Sequence, residues 1–194
     1  MESRVGSLVG ASGSYYGFRK ILAEEWYPDM SSDFYIPIIA CIKGFRTVLD
    51  QSAEGHYSVL GDPDMEFKRK VRTIVHGIDV LFHFKKVLNP FKYGLFSIQI
   101  LSHKLMRWLV PFAMILAFLS NIAIAIYSPF YKTLLYCQVF FYSLAVVSHF
   151  IKGFQGNAIF KIPYFFVMAN HSILAAWIEY AEGERHITWQ STKR

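Results

Sequence analysis

Between Trp108 and Ile151 the chain carries a single formally charged residue, Lys132. Exposed apolar runs of that extent invite association in water, so a lipid environment is the setting in which such a chain can fold. LMRWLVPFAMILAFLSNIAIAIY, residues 105–127, exceeds the ~20 residues that cross a bilayer as a helix. Arg107 and Trp108 stand at its start, where a guanidinium can snorkel and an indole favours the interface. TLLYCQVFFYSLAVVSHFI, residues 133–151, is the expected return span. Residues 162–180 form a weaker third candidate, because Asn170, His171 and Glu179 call for protein lining or partial embedding.

The positive charge has a location as well as a sum of +6. Lys68, Arg69, Lys70, Arg72, Lys85, Lys86, Lys92, Lys104 and Arg107 lie between Met65 and Trp108, against only Glu66 and Asp79. Basic residues on the approach to a span favour the cytoplasmic side, and anionic lipid adds about 1 kcal/mol for each. The expected location is therefore a cell (inner) membrane, crossed more than once, with residues 1–104 cytoplasmic. Nucleic acid competes as a partner for basic clusters, but the adjoining spans make membrane lipid the expected one. Cys41 and Cys137 fall in unlike segments and give neither a disulfide framework nor a metal spacing. The seven histidines are scattered, without the company of ligands that zinc requires.

The chain reads as three blocks. Residues 1–64 mix strand-like and helix-like pieces. SLVGASGSYYGFRK reads as a strand with tight turns at Gly10, Gly13 and Gly17. RKILAEEWY reads as a short helix, SSDFYIPIIACIK as a second one stopped by Gly44, and FRTVLD as a further strand. Residues 65–103 read as basic amphipathic helices lying in the interface, with Ile74, Ile78, Val80, Leu81 and Phe84 largely on one face. The break between them is Asn89-Pro90. Residues 104–194 hold the spans and a short polar tail. The expected fold is thus an α+β membrane protein: a partial acceptor-side subregion, interfacial helices, then two or three transmembrane helices.

Four stretches, ESRVGSLVGASGSYYGFRK, SSDFYIPIIACIKGFRTVLD, EFKRKVRTIVHG and SHKLMRWLVPF, carry a resemblance. Their order is similar to the later half of a membrane-bound family 2 glycosyltransferase of the cellulose and hyaluronan synthase-like superfamily, which has a GT-A fold. The resemblance implies a nucleotide-sugar donor, a glycan or lipid-linked acceptor, and Mg²⁺ or Mn²⁺ in the intact enzyme. It also implies that the donor-binding half, with its metal-holding D-x-D motif, precedes this chain or is a separate N-terminal polypeptide. On that expectation this chain alone is inactive.

Each motif carries over residue by residue. Gly10, Ala11, Ser12 and Gly13 resemble the small-residue loop that lines the acceptor site, where glycines let a backbone approach a sugar closely. A glycine-rich turn between strands would look the same. Ser31-Ser32-Asp33 resembles a triplet whose last aspartate is the general base, with the middle acid missing here. Removing the acceptor's proton by a placed carboxylate is worth typically 10²–10⁴-fold. The same three residues are equally a helix cap, worth about 1 kcal/mol without any catalysis. Glu66, Arg69 and Lys70 fall where the family has Gln-x-x-Arg-Trp, so Arg69 and Arg72 become diphosphate contacts by resemblance, while the tryptophan platform is absent. Trp189 and Arg194 have the spacing of the family's gating loop. Asp62 and Asp64 also show D-x-D spacing, but Pro63 and a turn context mark them as a loop.

The expected function is that of the C-terminal fragment of an inverting membrane glycosyltransferase making a polysaccharide or glycoconjugate. The alternative is a non-catalytic membrane subunit or remnant lacking the donor-binding half.

Overall fold

The computed structural model describes residues 6–24, 26–27, 30–56 and 63–185. Among them are seven α-helices: α1 Ser32–Ile42, α2 Pro63–His83, α3 Pro90–Tyr93, α4 Leu95–Ile100, α5 Met106–Ala125, α6 Pro129–Phe150 and α7 Ala158–Ala181. No strand occurs among the described residues, which corrects the α+β expectation to an all-helical one. The physical reason lies in how the two expected strands meet. The Leu8 N–H donates to the Thr47 carbonyl at 2.9 Å. Around it the Thr47 N–H goes to the Ser7 hydroxyl and the Arg46 guanidinium to the Gly6 carbonyl, at 2.9 and 2.7 Å. Side chains therefore take the positions that ladder bonds would fill, and one backbone bond does not make a sheet. The RKILAEEWY helix is likewise reduced to a single 3₁₀ turn, Lys20–Ala23.

The chain divides into two compact units, Met1–Arg107 together with Ala176–Arg194, and Trp108–Ala175. In the first, α1 is buried almost all round, through Phe34, Tyr35, Ile36, Pro37, Ile38 and Ala40. Such a helix belongs in a core. Its end is set by Gly44 at φ 78°. The Phe45 N–H reaches the Ala40 carbonyl at 2.7 Å and the Gly44 N–H reaches that of Cys41 at 3.1 Å, a Schellman closure. Tyr27 ties α1 to the last turn of α2, with its ring 5.5 Å from Tyr35 and 5.0 Å from His83.

The apolar face of α2 is covered by protein: Val71, Ile74, Val75, Ile78 and Leu81 are all buried, while Phe84 just beyond is half-buried. Asn89 starts α3 by accepting from the Phe91 N–H, with Pro90 in the first helical position, as the sequence predicts for this break. Beyond α3 the chain departs from the expected second, separate interfacial helix. From α4 it runs through a π-turn, Leu101–Leu105, directly into α5, so that Leu95–Ala125 is one apolar helix of 31 residues.

Among the described residues three helices are long and apolar enough to cross a membrane: Leu95–Ala125, Pro129–Phe150 and Ala158–Ala181. Within the second unit α5 and α6 form an antiparallel hairpin. The Asn121 side-chain amide lies 2.8 Å from that of Gln138, and one turn away Phe118 meets Tyr142 edge to face at 5.8 Å. The start of α7 packs on α6 through Phe141–Phe166 and His149–Tyr164. An amide pair in an apolar hairpin fixes its register, because separated amides would lack partners in hydrocarbon. A double-mutant cycle of Asn121→Ala and Gln138→Ala, read by unfolding in detergent, is expected to give a coupling of about 0.5–1.5 kcal/mol.

Candidate functional site

The structure draws the Gly10–Gly13 loop onto Asp33, and the reason can be traced to Pro37. Proline has no N–H, and its ring also crowds the carbonyl four residues earlier. In α1 that carbonyl belongs to Asp33, which is left without its helical donor. The Ala11 N–H supplies one instead, at 2.7 Å. A proline inside the helix thus opens a docking point on the first turn, and the small-residue loop occupies it.

The aspartate side chain is oriented by the same turn. Ser31 is the N-cap, and its side chain makes no capping bond. Its hydroxyl donates instead to Asp33 Oδ1. The other oxygen, Oδ2, faces Gly13, where an added methyl would sit only 3.2 Å from it. Ser31 thus engages one carboxylate oxygen while the other faces the loop, and the Ser31 side chain makes no capping bond to the helix backbone. Ser32 accepts a hydrogen bond from the Tyr16 hydroxyl at 2.6 Å, and the Tyr16 ring stacks on Phe18 at 5.7 Å. An aromatic pair therefore borders the same helix start. Asp33 is half-buried, and Ser12 and Gly13 are exposed, so the carboxylate stands beneath a loop that solvent reaches.

Lys104 joins this group, a residue whose sequence context marks it only as a basic flank. Its ammonium lies 4.7 Å from the centre of the Phe34 ring, a cation–π distance. A methyl on Gly10 would meet it at 3.5 Å. Lys104 belongs to the π-turn Leu101–Leu105. Such turns insert one residue into a helix, displace the following faces by roughly 100°, and are frequent at functional sites. Nothing in the local sequence announces a π-turn. Pro37, four residues after the aspartate, was a readable signal.

Glu66, Arg69 and Arg72 lie near the start of α2. Arg69 pairs with Glu66 through Nε at 2.9 Å and a second nitrogen at 2.8 Å, and Lys70 approaches Glu66 at 3.7 Å. The Gln-x-x-Arg-like spacing is realised as an i, i+3 ion pair on a helix surface. Arg69 stands fourteen residues before His83, the end that Tyr27 links to α1, about 21 Å along the axis. The structure does not bring Glu66 to the loop; its contacts are with its own helix. Trp189, Arg194 and Asp62 lie outside the described residues, as does the side chain of Asp64. Among the described residues no three His, Cys, Asp or Glu side chains gather as a metal site. A single carboxylate bonded to a serine, beside a loop bordered by lysine, does not fit Mg²⁺ or Mn²⁺, which need several oxygen ligands.

The assembled group sets a carboxylate and an ammonium beside a loop that solvent reaches. A carboxylate oxygen facing an accessible glycine turn can receive a proton, and the Lys104 ammonium offers three donors to oxygens nearby. The chain matches no family model, no curated protein and no solved structure.

Pro37→Ala restores a helical donor for the Asp33 carbonyl and should raise the hydrogen-exchange rate of the Ala11 amide about tenfold, equivalent to one modest hydrogen bond. Unchanged protection would contradict the role given to Pro37. At the start of α2, the Arg69 guanidinium holds the Glu66 carboxyl below its ordinary range. Stability from a lowered carboxyl is present above the unfolded value near 4.3 and disappears as pH falls through the folded one. Because the pair is largely exposed, Glu66→Gln should cost only about 0.3–0.5 kcal/mol at pH 7. Thermal unfolding at pH 7 and pH 3 should show that difference closing in acid.

Proposed function

We propose that this chain is the acceptor-side and membrane portion of an inverting, nucleotide-sugar-dependent membrane glycosyltransferase. The observation that carries the reading is the docking of the Gly10–Gly13 loop on the first turn of α1, with Asp33 Oδ2 facing Gly13. In this reading an acceptor hydroxyl sits between the loop and the carboxylate. Its proton passes to Asp33 as its oxygen bonds to the anomeric carbon, from the face opposite the leaving group. The bond from that carbon to the nucleoside diphosphate breaks, and the diphosphate departs with the electron pair. Ser31, bonded to the other carboxylate oxygen, keeps the base turned toward the acceptor. The exposed glycine turn admits a sugar ring, and the Tyr16–Phe18 pair offers an apolar face beside it. Lys104 holds ligand oxygens at the opposite edge of the loop.

Mg²⁺ or Mn²⁺ and the donor would be held by a preceding or separate N-terminal half, with Arg72 as a diphosphate contact and Trp189 and Arg194 closing over the nucleotide. The basic start of α2 favours the cytoplasmic face of the cell membrane for the first unit, by the positive-inside preference. The pairing of Arg69 with Glu66 favours a second reading, a non-catalytic membrane subunit. A guanidinium already engaged by a carboxylate is a poorer diphosphate ligand.

The test is sugar transfer by membranes containing the full enzyme, supplied with radiolabelled nucleotide-sugars. Asp33→Asn should lower transfer by at least 10²-fold, with membrane insertion and thermal midpoint unchanged. Retained transfer would remove Asp33 as the base. Absence of transfer by the wild type, with every donor and with its partner half present, would favour the subunit.

A further inference from the structure

The last turn of α7 is fastened to α2. Arg185 Nε lies 3.3 Å from Asp79 Oδ1, and its guanidinium covers the Tyr180 ring at 4.0 Å. The His76 ring nitrogen is 2.9 Å from the Arg185 carbonyl. Phe82 stacks on Tyr180 with ring centres 5.6 Å apart and meets Trp177 edge-on. The end of α7 therefore belongs to the same compact unit as residues up to Arg107. That unit also carries the exposed basic side chains of Lys68, Arg69 and Lys70 on α2, so it stands at the aqueous surface.

A chain that leaves a unit on one side of a bilayer and returns to the same unit must cross an even number of times. Among the described residues three helices are long and apolar enough to cross, so one of them does not. The antiparallel contacts Asn121–Gln138 and Phe118–Tyr142 make α5 and α6 a hairpin with a short turn, and its two arms cross together or not at all. The helix left over is α7. Its exposed large apolar side chains, Ile159, Ile162, Phe165, Phe166 and Ile178, are spread around the helix, while Lys161 and Glu179, eighteen residues and about five full turns apart, lie on one line of it.

We infer that α7 does not span the membrane but begins and ends at the same membrane face, its exposed apolar side chains immersed in the acyl region. The chain then crosses twice, and residues beyond α7 share a side with residues 6–107. Charged Lys161 and Glu179 stay at headgroup level, and the Arg185–Asp79 clasp holds the helix end down on α2. This placement is independent of the acceptor-site reading.

Cysteine accessibility tests it. In a background with Cys41→Ser and Cys137→Ser, single cysteines are introduced as Gln51→Cys, Tyr127→Cys, Asn157→Cys and Glu184→Cys. Each is labelled with a membrane-impermeant maleimide in sealed vesicles of known orientation. The expected result is Gln51, Asn157 and Glu184 positions labelled from one side and the Tyr127 position from the other. Labelling of the Glu184 position from the side opposite Gln51 would establish an odd number of crossings and overturn the inference. So would the Asn157 position labelling with Tyr127, which would make α7 the return span, or all four labelling from one side.

Discussion

One hydrogen bond, from the Ala11 N–H to the Asp33 carbonyl, organises the candidate site. It exists because Pro37 cannot donate to that carbonyl from within α1. A helix of good helix-formers would have closed the bond internally and left the loop with nothing to dock on. The proline costs the helix one bond, and a loop residue twenty-two positions before Asp33 regains it. The consequence extends beyond the backbone. Docking Ala11 also brings Gly13 against the carboxylate and Gly10 to the edge where Lys104 stands, so three segments distant in sequence meet at one helix start.

The first unit and the second meet different solvents, and the chain is written accordingly. In the first, most apolar side chains of α1 and α2 are buried while Lys68, Arg69 and Lys70 of α2 are exposed. In the second, large apolar residues such as Leu116, Phe140 and Val146 are exposed, and polar ones such as Asn121, Ser148 and Asn170 are buried. Lipid makes that inversion favourable, since hydrocarbon welcomes the outer side chains and polar groups find partners only inside. The clasp of Arg185 on Asp79 and Tyr180 then returns the chain to its starting unit.

The presence of the apolar helices was the legible part of the sequence, whereas the start of the first one, at Leu95 rather than near residue 105, was not. The apolar stretches became α5, α6 and α7, and Gly44 and Asn89-Pro90 ended and began helices by mechanisms visible in their residue types. Strands were not legible in the same way. A strand is defined by its partner, and residues 6–8 and 46–47 meet too briefly to form a ladder. The site was half legible. The loop and Asp33 were singled out by resemblance, since their residues alone read equally as a turn and a helix cap, and Lys104 depended on a π-turn that no local pattern encodes. The Glu66–Arg69 spacing was ambiguous from the start, because a motif of period three is also a helical neighbour pair.

The loop and Asp33 are proposed to hold, together, the hydroxyl of a sugar acceptor. An experimental structure of the membrane-embedded protein with an oligosaccharide acceptor bound tests this directly. The expected result is a sugar hydroxyl about 3 Å from Asp33 Oδ2, beneath Gly13 and within reach of Lys104. A sugar bound elsewhere, with the Gly10–Gly13 loop and the carboxylate untouched, would contradict it.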